Sequence, residues 1–253
     1  AGRTKDSDDE TVILYESDDS GRTWREVGPF SCPTLGNKKG SLKLVYLTET
    51  EPGCLLAAAM WVDRQSYPGR PLFNPETEGC LPMAILTSES LDGGATWSLW
   101  STIEMPREIG PPSLTNPVVR LPDGTLLMSI ETNKEYTDSS KWYQKVVLFR
   151  SSDDGRTWGE PTVASQDPSG RIYNWDQRLA GSPDGRIATF AWTYDSATKR
   201  YLNIHRRVSA DGGRSWTPAA DIGISDQAGV PAVFPDGRVV LPWVDRFQSH
   251  SIR

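Results

Sequence analysis

Three aspartates share a position that suits chemistry, because each follows a tryptophan at the end of an apolar run. Asp63 ends AAAMWVD, Asp195 ends FAWTYD and Asp245 ends LPWVD. Arg64 and Arg246 come directly after two of these aspartates. A carboxylate beside a guanidinium can serve as a general acid or base with an anion or sugar-hydroxyl contact. The alternative is a solvated salt bridge that closes a loop.

A denser cluster lies in YNWDQRL, residues 173–179. Trp175, Asp176 and Arg178 bring an aromatic ring, a carboxylate and a guanidinium into one short run. This combination suits sugar binding by stacking and bidentate hydrogen bonds. The alternative is ordinary packing of these side chains in a core.

Glu131, Tyr143 and Tyr194 are further candidates. Glu131 ends an apolar run in SIETNKEY and could act as a base or bind a hydroxyl group. The two tyrosines qualify as nucleophiles by residue type only. The sequence has two histidines, His205 and His250, so metal or triad chemistry based on histidine is poorly supported.

An eight-residue motif, S-x-D-x-G-x-[ST]-W, occurs four times and indicates the elements that position these residues. Its Asp can accept hydrogen bonds from its own turn, its Gly can adopt a positive φ, and its Trp can bury a large ring. A strand-like run precedes each copy. The copies, called Asp boxes below, are residues 17–24, 90–97, 151–158 and 209–216.

A second repeat, Pro-Asp-Gly between two apolar runs, is interleaved with the Asp boxes. It occurs at 122–124, 183–185 and 235–237, and a weaker equivalent surrounds Gly53. Pro-Asp-Gly in this setting predicts a hairpin turn. The unit of strand, turn, strand, long loop, strand, box and strand is typical of one β-propeller blade.

Counting these units predicts three complete blades, at roughly 40–110, 111–170 and 171–225, with a half-blade before and another after them. The two half-blades could pair and close a four-bladed ring. A piece of a larger propeller is favoured over that arrangement. We expect residues 1–253 to form a single all-β domain that holds about four blades' worth of four-stranded antiparallel blades.

Four Asp boxes in register resemble those of the sialidase-like (neuraminidase) superfamily, and the resemblance covers nearly the whole chain. It implies a propeller of the six-bladed type whose boxes are structural and lie away from the active site. It also implies an exo-acting glycoside hydrolase that cleaves terminal sugars, with sialic acid favoured, from glycoconjugates. The alternative is a non-catalytic propeller that binds glycans or proteins.

The resemblance further implies roles for single residues. Asp63, in WVDRQSYPGRP, corresponds to the family's acid/base Asp, although here a box already precedes it. Asp176 lies eight residues before the turn residue Asp184, where the family carries a Glu, so Asp176 or Glu131 would be the helper base. The family's three carboxylate-binding arginines have no clean match in this sequence.

Pro-Asp-Gly turns and Asp boxes both follow odd-numbered strands of a blade, so they must share one face of the propeller. The longer loops on the opposite face should therefore carry function. We expect the catalytic residues there to be Asp63, Asp176 and Glu131, and the substrate-binding residues to be Arg64, Arg178, Trp175, Tyr194, Asp245 and Arg246.

The composition narrows the range of partners. A net charge of -6 disfavours nucleic acid and anionic membranes, and no apolar run reaches transmembrane length. The three cysteines fit no metal motif, and buried free thiols are favoured over a Cys54–Cys80 disulfide. A carbohydrate partner and no cofactor are expected, and the resemblance implies a secreted or periplasmic location.

Overall fold

The computed structural model describes residues 7–253, in which nearly all regular structure is antiparallel β-strand. A single turn of 3₁₀ helix is found in these residues, at Arg107–Ile109. The strands are β1 (Ile13–Glu16), β2 (Arg25–Pro29), β3 (Gly40–Glu51), β4 (Cys54–Asp63), β5 (Met83–Ser90), β6 (Ser101–Ile103), β7 (Ser113–Leu114), β8 (Val119–Arg120), β9 (Leu126–Glu131), β10 (Lys145–Ser151), β11 (Thr162–Gln166), β12 (Ile172–Gly181), β13 (Ile187–Asp195), β14 (Arg200–Tyr201), β15 (Asn203–Ser209), β16 (Ala220–Ser225), β17 (Gln227–Ala228), β18 (Ala232–Val233), β19 (Val239–Val240), β20 (Trp243–Asp245) and β21 (Ser251–Ile252).

The strands form three complete blades of a β-propeller, as the repeats predict. Blade I is the sheet β3-β4-β5-β6. In blade II, β7 and β8 together form the first strand beside β9, and β10 and β11 follow. Blade III has the order β12-β13-β15-β16, and the short β14 extends its pairing with β13. This confirms the all-β propeller fold with four-stranded antiparallel blades.

Two partial blades flank the complete ones. The N-terminal hairpin is the separate pair β1-β2, and the C-terminal segment consists of β17-β20-β21 with the pair β18-β19. Between residues 7 and 253, no ladder joins the N-terminal hairpin to the C-terminal segment. The composite blade that would close a four-bladed ring is therefore not formed, and the described chain amounts to about four blades' worth of propeller.

The hydrophobic cores lie between successive blades. Side chains that alternate along β4, β5, β9 and β10 fill the gap between blades I and II, and others do the same between blades II and III. Burial of these apolar faces stabilises each blade only when its neighbour is in place. The largest fully buried members of the first core are Leu56, Ile85, Ile109, Leu114, Leu126, Met128 and Ile130.

The four Asp boxes repeat one hydrogen-bond pattern. In the third box, Ser151 Oγ donates to Asp153 Oδ1 at 2.7 Å, and the amide and hydroxyl of Thr157 donate to the two carboxylate oxygens at 2.9 and 2.6 Å. These bonds hold the pKa of Asp153 down to about 2. The expected Asp and Gly roles are therefore confirmed, with Gly155 at φ +89°. Trp24 departs from the expectation, because its ring is 63% exposed.

Each later box also touches the blade before it. Gly155 of blade II packs on Leu56 of blade I. In blade III, the carbonyl of Gly212 accepts hydrogen bonds from the guanidinium of Arg150, the nearer at 2.8 Å, and Arg150 belongs to blade II. The boxes therefore close their own turns and join consecutive blades.

All three cysteines are free thiols, as favoured over a disulfide. The expectation that they are buried holds for Cys80 alone. Cys32 is exposed and Cys54 is half-buried. Burial raises the pKa of the Cys80 thiol to about 12, so that thiol stays protonated and unreactive.

We predict that Gly155→Ala destabilises the protein more than Gly185→Ala. Both glycines have a positive φ, +89° and +82°, so each substitution carries a backbone penalty of about 1–2 kcal/mol. Only at Gly155 would the new methyl carbon also lie 3.0 Å from Leu56 of the neighbouring blade, while at Gly185 nothing lies within 4 Å. Overpacking should add about 1–3 kcal/mol. Equal losses in the free energy of unfolding, measured by urea denaturation, would contradict this inter-blade contact.

Candidate active site

A cavity of about 600 Å³ opens on the face opposite the Asp boxes and Pro-Asp-Gly turns. That volume is within the range of small-molecule sites. Loops from all three complete blades and from the C-terminal segment contribute to its wall. The lining residues are Phe73, Asn74, Pro75 and Glu78 of blade I, Ser113, Glu131, Asn133 and Trp142 of blade II, Trp175, Asp176, Trp192 and Tyr201 of blade III, and Arg246.

Two carboxylates, Glu131 and Asp176, meet in this cavity. Glu131 is the last residue of β9 and is only 7% exposed. Burial raises its pKa well above the ordinary value, and the negative charge of Asp176 raises it further. The backbone amide of Gln177 donates to Glu131 Oε1 at 3.2 Å and, with the charge of Arg178, partly opposes this rise. Glu131 therefore holds a proton at a pH where an ordinary glutamate has lost it.

A β-bulge in β12 brings Asp176 to the cavity. Trp175 pairs with Trp192 and Arg178 pairs with Phe190, so Asp176 and Gln177 together oppose one residue of β13. Asp176 has φ +44°, a left-handed conformation that aspartate tolerates better than most residues. Bulges commonly redirect side chains at functional sites. Here the bulge points the Gln177 amide at Glu131 while Asp176 lines the cavity.

Gln227 connects Asp176 to the cation of the cavity. Its side-chain amide nitrogen donates to Asp176 Oδ2, and its amide oxygen accepts from Arg246 Nη2. The Arg246 guanidinium lies 4.9 Å from the centre of the Trp192 ring, a cation–π distance. Carboxylate, amide and guanidinium thus form one chain of hydrogen bonds along the cavity wall.

One side of the cavity is a continuous set of rings, called the aromatic wall below. Trp175 stacks on Tyr194 with ring centroids 4.7 Å apart, and Trp192 stacks on Tyr201 at 4.5 Å. Tyr194 and Tyr201 are themselves in contact at 5.1 Å, which joins the two stacks. Such rings offer flat apolar area at a low cost in side-chain entropy. The wall consists of Trp142, Tyr173, Trp175, Trp192, Tyr194 and Tyr201.

The structure brings five of the nine sequence-predicted site residues to this place. Four of them line the cavity, and the fifth, Tyr194, supports Trp175 within the aromatic wall. The role of each in catalysis or binding stays a prediction. The four lining residues are Glu131, Trp175, Asp176 and Arg246.

Asp63 does not line the cavity, contrary to the expectation that it would meet Asp176 and Glu131. Its carboxylate is 1% exposed and accepts hydrogen bonds from the backbone amides of Gln65 and Ser66 at 2.8 Å. Lys38 adds an ion pair at 3.1 Å. These contacts, all with its own loop and one nearby lysine, lower the pKa of Asp63 against the opposing effect of burial. The alternative interpretation, a salt-bridged loop closure, describes Asp63 better.

The other Trp-linked acids have the same loop-closing geometry. Asp245 is 3% exposed and accepts from the Gln248 amide at 2.9 Å and the Ser249 hydroxyl at 2.7 Å. Arg64 is also away from the cavity, since its guanidinium pairs with Glu10 at 2.7 Å. The pattern Trp-x-Asp therefore marks a turn at the end of a second strand, and the predicted binding roles of Arg64 and Asp245 lose their geometric basis.

Arg178 lies at the centre of the propeller instead of lining the cavity. Its Nη1 donates to the Tyr46 hydroxyl at 2.9 Å and to the Thr115 carbonyl, and its Nε donates to the Ala228 carbonyl at 3.3 Å. These partners belong to blades I and II and to the C-terminal segment. The predicted substrate-binding role is thus replaced by a contact among blades, because long-range partners occupy the guanidinium.

Several residues of the site could not be predicted from the sequence. The connections between the second and third strands of the blades contribute Glu78, Trp142 and Tyr201, none of which belongs to a motif. Gln227 could have been predicted from the sequence, because Asp226-Gln227 repeats the Asp176-Gln177 pair one blade later. Both aspartates have a positive φ, which supports equivalent positions in successive blades.

Two further observations concern metal ions and membranes. Within residues 7–253, no group of three or more His, Cys, Asp or Glu side chains is arranged to hold a metal ion. The same stretch contains no helix with the length and apolar character needed to cross a membrane.

The overall architecture matches solved structures closely. A protein of unknown function from Dyadobacter fermentans DSM 18053 superimposes with a TM-score of 0.77 at 19% identity, over 100% of this chain and 69% of that chain. Hadza microbial sialidase Hz136 gives 0.61 at 16% identity, over 92% of this chain and 46% of that chain. The chain has the sialidase-like β-propeller fold. No protein-family model and no curated protein matches its sequence.

An arabinanase is also among the matching solved structures. The α-L-arabinanase of Penicillium chrysogenum, solved with arabinobiose, has a TM-score of 0.59 at 18% identity, over 91% of this chain and 66% of that chain. The propeller described here spans about half to two thirds of the length of these structures. At such low identities the likeness establishes the fold, and activity has to be argued from the cavity.

We predict that Glu131→Gln removes one component of the pH dependence of stability. The folded-state pKa of Glu131 is raised, so the folded protein keeps a proton that the unfolded chain releases above its ordinary pKa of 4.5. The wild type should therefore lose stability relative to the variant as pH rises from there, by up to about 1.4 kcal/mol per pH unit. Urea denaturation at pH 4.5–8 measures this difference. Glu135→Gln, at an exposed position of the same loop, should retain the wild-type slope.

Proposed function

We propose that this chain carries the catalytic cavity of a glycoside hydrolase that acts on terminal sugars of glycoconjugates. The observation that supports it best is the pairing of a buried, proton-holding Glu131 with Asp176 in one cavity. Glycosidases use two carboxyl groups whose surroundings hold them in different protonation states. The aromatic wall beside this pair adds a surface on which a sugar ring can stack.

The two carboxyl groups divide the chemistry between them. Glu131 donates its proton to the oxygen of the leaving group while the bond from that oxygen to the anomeric carbon breaks. Asp176, as a carboxylate, faces the positive charge that develops on the sugar. It then either takes a proton from the attacking water or bonds to the anomeric carbon before water releases the sugar. In the first route the proton gained by Asp176 is released to solvent and Glu131 takes up a proton from solvent. In the second route Glu131 takes the proton of the attacking water, so both routes end in hydrolysis with Glu131 protonated again.

Sialic acid is the sugar that the family resemblance favours, and one of the matching solved structures is a sialidase. The arginines of this chain give that choice little support. Arg64 and Arg178 are paired elsewhere, which leaves Arg246 as the cation among the described lining residues. The proposal is therefore hydrolysis of a terminal sugar.

Glycan binding without turnover is the second candidate, and the aromatic wall favours it. Stacked rings such as Trp175 and Tyr194 recognise a sugar without taking part in bond breaking. A catalytic cavity requires in addition that both Glu131 and Asp176 be needed for turnover. That requirement separates the two functions.

We predict that Glu131→Gln and Asp176→Asn each lower turnover of the best substrate by roughly 10²- to 10⁴-fold, the usual contribution of general acid–base catalysis. Wild-type turnover should also fall as pH rises through the raised pKa of Glu131, because its acid form is the proton donor. The assay uses a panel of fluorogenic glycosides that includes a sialoside.

Asp63→Asn is the matched control, because it changes an equally buried carboxylate that closes a loop outside the cavity. Once circular dichroism confirms that it is folded, this variant should keep wild-type turnover. Loss of activity in Asp63→Asn with full activity in the other two variants would reverse the assignment. Saturable glycan binding with no turnover by the wild type would favour the binding function.

A further inference from the structure

The lining of the cavity contains more acidic than basic side chains. Glu78, Glu131 and Asp176 contribute three carboxyl groups to the lining, whereas Arg246 contributes one guanidinium. With Glu131 protonated, two negative charges still face one positive charge. An anionic ligand entering this space would meet net repulsion, which its own desolvation would increase.

Arg246 is already engaged by the protein. Its guanidinium donates to the Gln227 side chain, and Gln227 in turn donates to Asp176. The same guanidinium lies over the Trp192 ring at 4.9 Å. A cation held in such a chain chiefly offsets the carboxylate at its other end.

The other arginines expected near the site are not free to bind the carboxylate of an anionic ligand. Arg178 donates to a hydroxyl and two backbone carbonyls at the propeller centre, and Arg64 is bound to Glu10 and Ser41. Moving Arg178 to the cavity would remove a charged donor from two backbone carbonyls at the propeller centre, and moving Arg64 would break its bonds to Glu10 and Ser41. Both losses cost free energy. A cluster of guanidiniums for a carboxylate is therefore not available from these residues.

The remaining lining suits a ligand without charge. The aromatic wall offers flat apolar area to one face of a sugar ring, and carboxylate oxygens accept hydrogen bonds from its hydroxyl groups. Glu78 lies near enough to the wall to raise the pKa of Tyr173 by its charge, although burial is the larger cause. Acceptor oxygens and aromatic rings therefore occur on the same side of the cavity.

We propose that the cavity takes an uncharged glycoside in place of sialic acid or another anionic sugar. This inference rests on the proposed hydrolase function and specifies its substrate class. The cavity would bind a neutral sugar ring by stacking on Trp175 and by hydrogen bonds from sugar hydroxyls to Asp176 and Glu78.

The test compares uncharged 4-methylumbelliferyl glycosides of common hexoses and pentoses with the corresponding sialoside, using the full chain. In parallel, tryptophan fluorescence is titrated with uncharged methyl glycosides and with N-acetylneuraminic acid. Glu78→Gln removes one lining carboxylate and should shift the ratio of anionic to neutral ligand affinity by about two- to fivefold toward the anion. Glu76→Gln makes the same chemical change two residues away, at an exposed position outside the lining, and should leave that ratio unchanged.

The outcomes separate the two proposals. Cleavage or binding of at least one uncharged glycoside with none of the sialoside supports the inference. Cleavage of the sialoside alone overturns it and leaves hydrolysis in place. If no glycoside is cleaved, the proposed function fails and the titration decides the charge class: quenching by uncharged glycosides alone supports the inference. Quenching by sialic acid alone, or by no uncharged glycoside, overturns it.

Discussion

The guanidinium of Arg178 is the contact on which the centre of this propeller depends. It shares its donors among the Tyr46 hydroxyl and the carbonyls of Thr115 and Ala228. Its partners come from blade I, blade II and the C-terminal segment, while Arg178 itself belongs to blade III. A planar guanidinium directs its donors along fixed lines. The inner strands are therefore held at set distances from one another by one side chain.

The candidate site follows from that constraint. Arg178 comes directly after the bulge of Asp176 and Gln177, and the Gln177 side chain accepts from Ser165 at 2.5 Å on the other side. A left-handed aspartate is unfavourable alone and persists when its surroundings over-determine it. The held bulge keeps Asp176 beside Glu131. Burial raises the pKa of Glu131, and the charge of Asp176 raises it further. A structural contact at the axis thus helps to place the second carboxyl group of the cavity beside the first.

Local patterns predict the fold well and the site only in part. The Asp boxes and Pro-Asp-Gly turns specify their own geometry within eight residues or fewer, so the blades could be placed from sequence. Glu131 was selected because it ends a second strand, and Asp176 because of the YNWDQRL cluster and the family resemblance. Asp63 was expected among the catalytic residues but lies outside the cavity, because WVDR reads alike whether its carboxylate closes a loop or faces a cavity. The position of Arg178 could not be predicted, because its partners lie fifty or more residues away along the chain.

The contact between Gly155 and Leu56 bears on how the number of blades can change in evolution. A blade that closes its own turns and packs on its predecessor through its Asp box is a repeated unit. Duplication or loss of one unit alters the number of blades and leaves the Asp-box contacts between the remaining blades unchanged. The loops on the opposite face can then diverge independently, so the residues that line the cavity can change while the contacts between blades stay the same.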